Sequence, residues 1–515
     1  MNNYDVVVVG AGISGLVSSL TLLSDGYKVL LVDEHTNIGG LNSVIKKGRF
    51  EFEPSFHSLY IKETGGEYSI NDLFGRLGIE NKISFDSIPD VFRVVTINRD
   101  ENGIRKDYTM PFGIEEFADR LEQYVTGSKE SCLRFFELAK ECKDGLKYVA
   151  KSDGNVDYDL IGDKYPNFVK IGNNSVSKVL DEINMPLEAQ EIINACWVYL
   201  GSPETEISFV HYATLLYDMV NFKLQVPSLK TSDIIWNIFD KYLELGGDVR
   251  FSTKVIKLIL DGDKVSGVRL DNGDIIVTNH VITSGNVSDV YNNLIDDKKI
   301  VEKGINSISK RHIGARELNV YLGLNRSVKD LGIDNYVHLL YHSLDSDVEF
   351  NKMKAVNNGG AVAVCYNVAN CDASPKGTCI LSLNTLYFDD CYTLALNDDN
   401  FFSLKEEIAN GLIDSFEKAT KINIREYIEE IEIVTPMDIA KYNGALDGSS
   451  YGFRYTGLDN LLPRILNRQN EQYVKGLYFV GGFAGDIYSV ASAYMSGESE
   501  AKRVKEELGG KNVRN

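Results

Sequence analysis

The chain has 515 residues, more than one hydrophobic core usually serves, and its content of 43% apolar and 25% charged residues is typical of a globular protein. Its 54 basic and 74 acidic residues give a formal net charge of −20, which disfavours nucleic acids and anionic membranes as electrostatic partners. No apolar run approaches the roughly 18 to 20 residues of a membrane span. No basic segment precedes the first apolar run as in a signal peptide, so we expect a cytoplasmic protein.

The first predicted elements are a strand, a glycine turn and a helix. Val6–Val9 are four valines that run directly into Gly10-Ala11-Gly12-Ile13-Ser14-Gly15, and apolar residues follow at helical spacing until Gly26. A second apolar strand at residues 28–32 ends on Asp33. An acid about 20 residues past a glycine turn is typical of a dinucleotide-binding fold.

Each glycine of the turn has its own physical reason. Gly10 permits the tight turn, Gly12 has no side chain to keep a pyrophosphate away, and Gly15 lets the helix pack closely on the sheet. The phosphates would lie at the start of the helix, at Ile13 and Ser14, where free N–H groups and the helix dipole favour anions. Asp33 would accept hydrogen bonds from the adenosine ribose.

The residues after Asp33 distinguish FAD from NAD. Glu34 follows directly, Gly39-Gly40-Leu41 come next, and the stretch Gly48-Arg49-Phe50-Glu51-Phe52-Glu53-Pro54-Ser55-Phe56-His57 follows them. This order resembles the flavoprotein pattern of a glycine pair followed by a G-F-x-F-D-x-G-x-H hairpin. The chain is therefore similar to the amine oxidase and phytoene desaturase superfamily. The resemblance implies FAD as the cofactor, with Glu34, Gly39, Gly40 and Leu41 beside it.

A second lobe is predicted to begin near residue 70. Its pattern indicates helices at residues 72–77 and within residues 114–145, separated by a strand at residues 91–97, and a further helical stretch at residues 176–215. This lobe would be inserted between pieces of the nucleotide fold. The stretch at residues 193–216 is unusually apolar. It fits either ordinary core helices or the wall of an apolar substrate tunnel, since large apolar pockets form between lobes.

The nucleotide fold is predicted to resume near Ser232, with a helix that ends at Gly246-Gly247 and three strands that follow. Asn272-Gly273 predicts a type I′ hairpin turn before a strand at residues 275–277. This run resembles the segment that completes the FAD lobe in the superfamily, where the residue at Val255 touches the adenine through its backbone. No second GxGxxG joins a strand to a helix, so a separate NADPH domain is not expected.

Metal and disulfide sites are not predicted. The 7 cysteines form no CxxC pair, which fits reduced thiols better than a disulfide framework or a zinc site. His338 and His342 would share one face of a helix, but they lie among aromatic and β-type residues without a nearby carboxylate pair. Further strands are predicted at residues 317–324 and 380–383, and a helix at residues 405–419.

The C-terminal block carries the second set of motifs. Thr435-Pro436-Met437-Asp438 and Gly448-Ser449-Ser450-Tyr451-Gly452 resemble segments beside the isoalloxazine in the phytoene desaturase, carotenoid isomerase and retinol saturase group. A buried strand at residues 476–482 and a helix at residues 489–508 resemble the family's C-terminal FAD signature. The resemblance implies cofactor contacts at Gly481, Gly482, Asp486, Tyr488 and Ser489.

Three departures from the superfamily motifs bear on the substrate. Gly482 stands where amine oxidases usually carry an acid, residues 484–489 replace the P-G-G-G of the desaturases, and Leu41 replaces a frequent arginine. These changes weaken the case for a carotenoid substrate and leave the case for FAD intact.

We therefore predict an α/β protein. A Rossmann-type FAD-binding domain would be built from residues 1–70, 225–310 and 465–515, and an α+β substrate domain with a mixed sheet and helices from residues 71–224 and 311–464. Hydride transfer with flavin N5 would desaturate, saturate or isomerise C–C or C=C bonds of an apolar, polyene- or isoprenoid-like small molecule. The alternatives are a flavin amine or amino-acid oxidase and a flavin-binding module without turnover.

The predicted catalytic residues are His57, Tyr451 and Arg454, which would position the substrate or carry a proton. Arg93 is a further candidate. For each of them the alternative is a structural role in packing or hydrogen bonding. The sequence does not define the oligomeric state, and any membrane contact would be peripheral and hydrophobic because the acidic charge provides no attraction.

Overall fold

The computed structural model describes residues 2–54, 59–60, 70–99, 103–152, 155–228, 230–370, 372–389, 391–396, 399–443, 448–450, 452–456, 459–467, 472–482 and 490–509. Within these ranges two lobes are built around two different sheets. No helix in the described ranges is both long and apolar enough to cross a bilayer.

The first lobe contains a five-stranded parallel sheet. Its strands lie in the order Asp248–Arg250, Val29–Val32, Val6–Val9, Val281–Thr283 and Leu477–Phe479. The strands Val6–Val9 and Val29–Val32 are almost entirely buried, as expected for valine and leucine residues in a sheet that is covered on both faces. The sheet thus draws its strands from three separate stretches of the chain. The boundaries of the predicted FAD-binding domain stay a prediction.

Helices cover one face of the parallel sheet. The first helix, Ile13–Ser24, packs against Thr231–Glu244 and Val490–Glu507, and the shorter helix Ile70–Arg76 joins the same core. The approach to the C-terminal helix is close, since a Cβ on Gly497 would lie 2.4 Å from the Ser14 carbonyl oxygen. The Ser18 hydroxyl donates to the Gly497 carbonyl at 2.9 Å. The two ends of the chain are therefore held together in one core.

A four-stranded sheet covers the opposite face, where alternate residues such as Val7 and Leu30 are directed. Its strands are Asn2–Asn3, Ile275–Val277, Lys264–Leu270 and Val255–Asp261. The predicted hairpin at Asn272-Gly273 is present, but the predicted turn type is wrong. A type I′ turn needs positive φ at both central residues, whereas Gly273 has φ +89° and Asn272 has no positive φ. The Gly273 N–H donates instead to the Leu270 carbonyl at 3.0 Å.

The second lobe is built on a seven-stranded mixed sheet. The order is Ile428–Val434, Arg316–Leu324, Cys379–Tyr387, Ala361–Cys365, Val337–Tyr341, Phe92–Thr96 and Asp107–Met110. Val337–Tyr341 and Phe92–Thr96 are parallel, and the other neighbours are antiparallel. Smaller sheets pair Ile45–Lys47 with Phe50–Phe52, His312–Ile313 with Phe453–Arg454, and Leu224–Pro227 with both Leu59–Tyr60 and Phe85–Ser87.

The remaining helices surround these sheets. Val287–Leu294 and Lys298–Ile308 pack on the first lobe. The others are Ile114–Tyr124, Lys129–Lys151, Tyr158–Lys164, Pro166–Ile171, Val176–Glu182, Leu187–Ile193, Phe209–Phe222, Val328–Leu331, Ser346–Lys352, Cys391–Ala395, Phe401–Thr420, Pro436–Asn443 and Leu461–Asn467. The apolar stretch at residues 193–216 packs mainly as core. Trp197 is fully buried, with the rings of Tyr341, Phe350 and Phe388 around it.

His338 lies on a strand of the mixed sheet, so it does not share a helical face with His342. Its ring is fully buried against Phe416, and neither ring nitrogen has a hydrogen-bond partner within the described part of the chain. Burial, assisted by the nearby Arg93 guanidinium, lowers the pKa of His338 to about 3. The folded protein therefore holds this histidine neutral.

Replacing His338 by leucine is expected to flatten the loss of stability in acid. Below pH 6.5, the ordinary pKa of histidine, His338 is protonated in the unfolded chain. In the folded chain it stays neutral down to about pH 3. The free energy of unfolding then falls by about 1.4 kcal/mol for each pH unit in this window. Urea unfolding of both proteins at several pH values in this window measures the difference. Parallel pH dependence of the two proteins would contradict the prediction.

Candidate cofactor site

The glycine turn has the geometry that a bound pyrophosphate needs. Gly10 has φ +105°, and a Cβ there would lie 2.0 Å from the Ser284 hydroxyl oxygen. A Cβ on Gly15 would lie 1.9 Å from the Gly10 carbonyl oxygen. A Cβ on Gly12 would meet only the Gly40 Cα, at 4.0 Å. Gly10 and Gly15 are therefore required by the fold itself, whereas Gly12 leaves open space in front of the backbone.

The first helix begins at this open space. Gly12 is its N-cap, and among the described residues no side chain caps its first N–H groups and no acid lies in its first turn. The first N–H groups of a helix have no partner within the helix, so those at the Ile13 end can bind an anion. The neighbouring helix Thr231–Glu244 differs, because Asp233 and Glu53 accept hydrogen bonds at its start.

Asp33 joins the end of the second strand to the glycine turn. Its carboxylate accepts hydrogen bonds from the Ala11 N–H at 2.6 Å and from the His35 N–H at 2.8 Å. A carboxylate has about four lone-pair sites, so acceptor capacity remains for ribose hydroxyls. Glu34 pairs with Lys254 at 2.7 Å, which places the start of the strand Val255–Asp261 beside this acid.

The second glycine pair closes over the turn. The Gly39 N–H donates to the Ala11 carbonyl at 2.8 Å, and a Cβ on Gly40 would lie 3.3 Å from the Gly12 Cα. Both glycines have positive φ, and Leu41 follows in a single helical turn. From the other end of the chain, a Cβ on Gly481 would lie 3.5 Å from the Ser14 hydroxyl oxygen. Four predicted segments are thus brought to one place, which we call the Gly12 cradle: Gly10–Gly15, Asp33–Glu34, Gly39–Leu41 and Gly481–Gly482.

The C-terminal part of the predicted site is described only in part. His57, Tyr451, Asp486, Tyr488 and Ser489 lie outside the described residues. A Cβ on Gly482 would lie 3.8 Å from the Ser450 carbonyl oxygen and 3.9 Å from the Gly452 nitrogen, so the two C-terminal motifs meet.

Two arginines that the sequence suggested for catalysis have protein partners. Arg454 lies 3.4 Å from a Glu206 carboxylate oxygen and stacks on the Phe350 ring at 5.3 Å from its centroid. Arg93 makes two hydrogen bonds to Asp107, at 2.9 and 2.7 Å. Their guanidinium groups are held by these contacts, and a role in catalysis stays a prediction.

Sequence reasoning did not find the partners of three residues, Tyr442, Arg464 and Glu53. The Tyr442 ring stacks on His35 at 4.4 Å between centroids, next to Asp33. Arg464 donates to the carbonyls of Phe453 and Arg454, which are the two residues that follow Gly452. Glu53 accepts from the Thr231 N–H at 2.5 Å, and burial raises its pKa to about 7. Glu53 stands at the acid position of the hairpin motif, which is the one signal that could have identified it.

Comparisons with known proteins agree with this geometry. A model described as an NAD(P)-binding Rossmann-like domain matches residues 8–64. The chain is 23% identical to an all-trans-retinol 13,14-reductase of Danio rerio, covering 94% of this chain and 84% of the relative. It is 23% identical to a chloroplastic prolycopene isomerase of Daucus carota, covering 98% of this chain and 80% of the relative. A 1-hydroxycarotenoid 3,4-desaturase of Flavobacterium is 21% identical, with coverages of 92% and 94%.

Solved structures share the fold. An oxidoreductase from Methanosarcina mazei superposes with a TM-score of 0.63 at 15% identity, covering 96% of this chain and 99% of that chain. A putrescine oxidase bound to putrescine superposes with a TM-score of 0.64 at 13% identity, covering 98% of this chain and 99% of that chain. The predicted Rossmann-type fold is confirmed, and so is the predicted resemblance, since the chain is similar to a retinol reductase, a prolycopene isomerase and a carotenoid desaturase.

Proposed function

We propose that this protein is an FAD-dependent oxidoreductase that acts on C–C or C=C bonds of an apolar, polyene-like small molecule. The observation that carries the proposal is the Gly12 cradle, where a glycine with open space lies at the uncapped start of a helix. The names of the relatives supply the substrate class, since they describe a retinol reductase, a prolycopene isomerase and a hydroxycarotenoid desaturase. A cytoplasmic location stays a prediction.

The residues of the cradle fit an FAD molecule. The N–H groups at Ile13 and Ser14 would bind the pyrophosphate, and Asp33 would accept from the adenosine ribose. The backbone at Val255 would lie against the adenine. Glu34, Gly39, Gly40, Leu41, Gly481, Gly482, Asp486, Tyr488 and Ser489 complete the proposed contacts.

When bound, FAD supplies hydride transfer at flavin N5. The protein would contribute orientation of the substrate, exclusion of water and movement of a proton. We propose His57, Tyr451 and Arg454 for these last roles. Of the three, only Arg454 is described, and its pairing with Glu206 supports a positioning role rather than proton transfer.

The test begins with the absorbance spectrum of the purified protein, reconstituted with FAD where needed. We expect oxidised-flavin bands, and we expect polyenes to change the redox state of the flavin under anaerobic conditions in one direction: oxidised flavin is bleached, or chemically reduced flavin is reoxidised. Putrescine and other amines serve as controls. Bleaching by an amine would move the protein to the amine oxidases, and failure to bind FAD would overturn the proposal.

A further inference from the structure

Glu53 lies where the strand Phe50–Phe52 ends against the start of the helix Thr231–Glu244. One carboxylate oxygen accepts from the Thr231 N–H at 2.5 Å, and the other lies 3.4 Å from the Thr231 hydroxyl. The helix terminus favours a negative charge. Burial opposes it more strongly and raises the pKa of Glu53 to about 7. The group therefore changes between acid and carboxylate near neutral pH.

Within the part of the chain that the structure describes, no ion pair joins the Glu53 carboxylate to a cation. Lys230 is the nearest lysine, but its ammonium contacts Glu51, and Glu51 also pairs with Lys46 at 3.0 Å. These lysines lower the pKa of Glu51. Among the described residues, the other titratable groups that interact with Glu53 are Tyr336, Tyr366 and Tyr494, whose pKa values burial raises. The pKa values of Glu51 and Glu53 thus shift in opposite directions, because the contacts with Lys230 and Lys46 dominate at Glu51 and burial dominates at Glu53.

A small cavity of about 20 Å³ lies beside Glu53, with Tyr366 and Ala373 in its lining. This volume is enough for one water molecule. A larger cleft of about 580 Å³ lies next to it, lined by residues 36–38 and 42–44 and by the exposed Trp236. Cavity and cleft share Glu51, Lys230 and Asn370 in their linings. The cavity beside Glu53 therefore adjoins the cleft.

A second neighbour of Glu53 is Tyr494, with which it interacts electrostatically. Tyr494, which feels the charge of Glu53, is fully buried on the helix Val490–Glu507. The same helix packs on the first helix through Gly497 and Ser14. Glu53 thus borders the cavity and interacts with a residue of the helix Val490–Glu507.

We infer that Glu53 is a proton-exchanging residue that connects the interior beside the Gly12 cradle to solvent through the cavity and the cleft. This role of Glu53 rests on the proposed function. Conversion of CH–CH to C=C removes one hydride and one proton from the substrate, and the reverse reaction adds both. The hydride, with both electrons, is exchanged with the flavin. The proton must be exchanged with solvent, and Glu53 is the titrating group on the path.

The first test needs neither cofactor nor substrate. Infrared spectra of the protein in D₂O, recorded from roughly pH 5 to 9, report protonated carboxyl groups. We expect the spectrum of the wild type minus that of Glu53→Gln to contain a carboxyl band with a midpoint near pH 7. The difference is taken because burial also raises the pKa of Glu204 to about 7 and that of Asp90 to about 6. Glu51→Gln is the matched control, since Glu51 lies on the same strand with a lowered pKa, and it should retain the band. A difference spectrum without such a band overturns the inference.

The second test uses the FAD-loaded protein and a reacting polyene. Glu53→Gln should remove the pH step near 7 from the rate of the flavin reaction and slow it by about 100-fold, while FAD content is unchanged. Glu53→Asp should keep the step, and Ala373→Val should slow the reaction by filling the cavity. An unchanged pH profile in Glu53→Gln overturns the inference and leaves the proposed function standing. No reaction of the wild type with any polyene overturns the proposed function and the proton's role in it, whatever the infrared result.

Discussion

Replacing Gly12 by alanine is expected to weaken FAD binding at least about tenfold, a loss of about 1.4 kcal/mol. The stability of the cofactor-free protein should fall by no more than about 1 kcal/mol, the difference between glycine and alanine at an N-cap. Gly12 has φ −71°, which alanine adopts without strain, and a Cβ there meets only the Gly40 Cα at 4.0 Å. The new methyl group would therefore fill the space in front of the helix start and leave the fold intact.

Gly15→Ala is the contrasting variant. Its Cβ would lie 1.9 Å from the Gly10 carbonyl oxygen and 3.5 Å from a Val8 methyl carbon. The helix must move away from the sheet, and the cost of such overpacking is about 3 kcal/mol. This variant should lose stability with or without FAD. Alanine at Gly12 should thus weaken FAD binding, whereas alanine at Gly15 should destabilise the fold.

Two measurements separate these effects. Urea unfolding of the cofactor-free proteins gives stability, and quenching of flavin fluorescence on titration gives the FAD dissociation constant. Gly411→Ala is the control, since Gly411 lies in the helix Phe401–Thr420 with open space around its Cα. Alanine there should raise stability by about 0.5 to 1 kcal/mol and leave FAD binding unchanged. Equal effects of the Gly12 and Gly15 variants on stability would contradict the assignment.

The first lobe could be predicted because its signals are local. The valine strand, the glycine turn and Asp33 follow one another within 33 residues, and each has a separate steric reason for its residue type. The error at Asn272 has a local cause as well. Asn-Gly is compatible with several hairpin turns, and here only Gly273 takes the positive φ.

The missed contacts are those between distant parts of the chain. Tyr442 meets His35 across about 400 residues, and Glu53 meets Thr231 across 178 positions. No periodicity or motif links such pairs, since their contact depends on how segments far apart in the sequence pack together. His338 was considered for a metal because a spacing of four matters on a helix, but the strand places it alone in the core. The residues of local motifs could therefore be predicted from the sequence, whereas the distant residues that contact them could not.

Arg464→Met is expected to cost about 3 kcal/mol of stability and to weaken FAD binding. Only 2% of the Arg464 side chain is exposed. It makes two hydrogen bonds to Asp459, at 2.8 and 2.6 Å, and covers the Tyr455 ring at 4.2 Å. It also donates to the Phe453 carbonyl at 3.2 Å and to the Arg454 carbonyl at 2.8 Å. Methionine would fill the space and leave these acceptors unpaired.

The effect on FAD follows from the position of this segment. Phe453 comes directly after Gly452, whose nitrogen lies 3.9 Å from where a Cβ on Gly482 would be. Loosening the segment should therefore loosen the flavin end of the site. Because Asp459 is 23% exposed, solvent can take up part of its charge, and Asp459→Asn combined with Arg464→Met should cost less than the sum of the two single changes.

The matched control is Arg425→Met, which removes an arginine whose pairing with Asp414 is on the surface. These two side chains are 45% and 69% exposed, and exposed pairs contribute about 0 to 1 kcal/mol. Urea unfolding of both variants and FAD titration of each give the comparison. If the two arginines cost the same, burial does not set the contribution of Arg464. If Arg464→Met loses stability but binds FAD as tightly as the wild type, the segment at residues 452–456 does not shape the cofactor site.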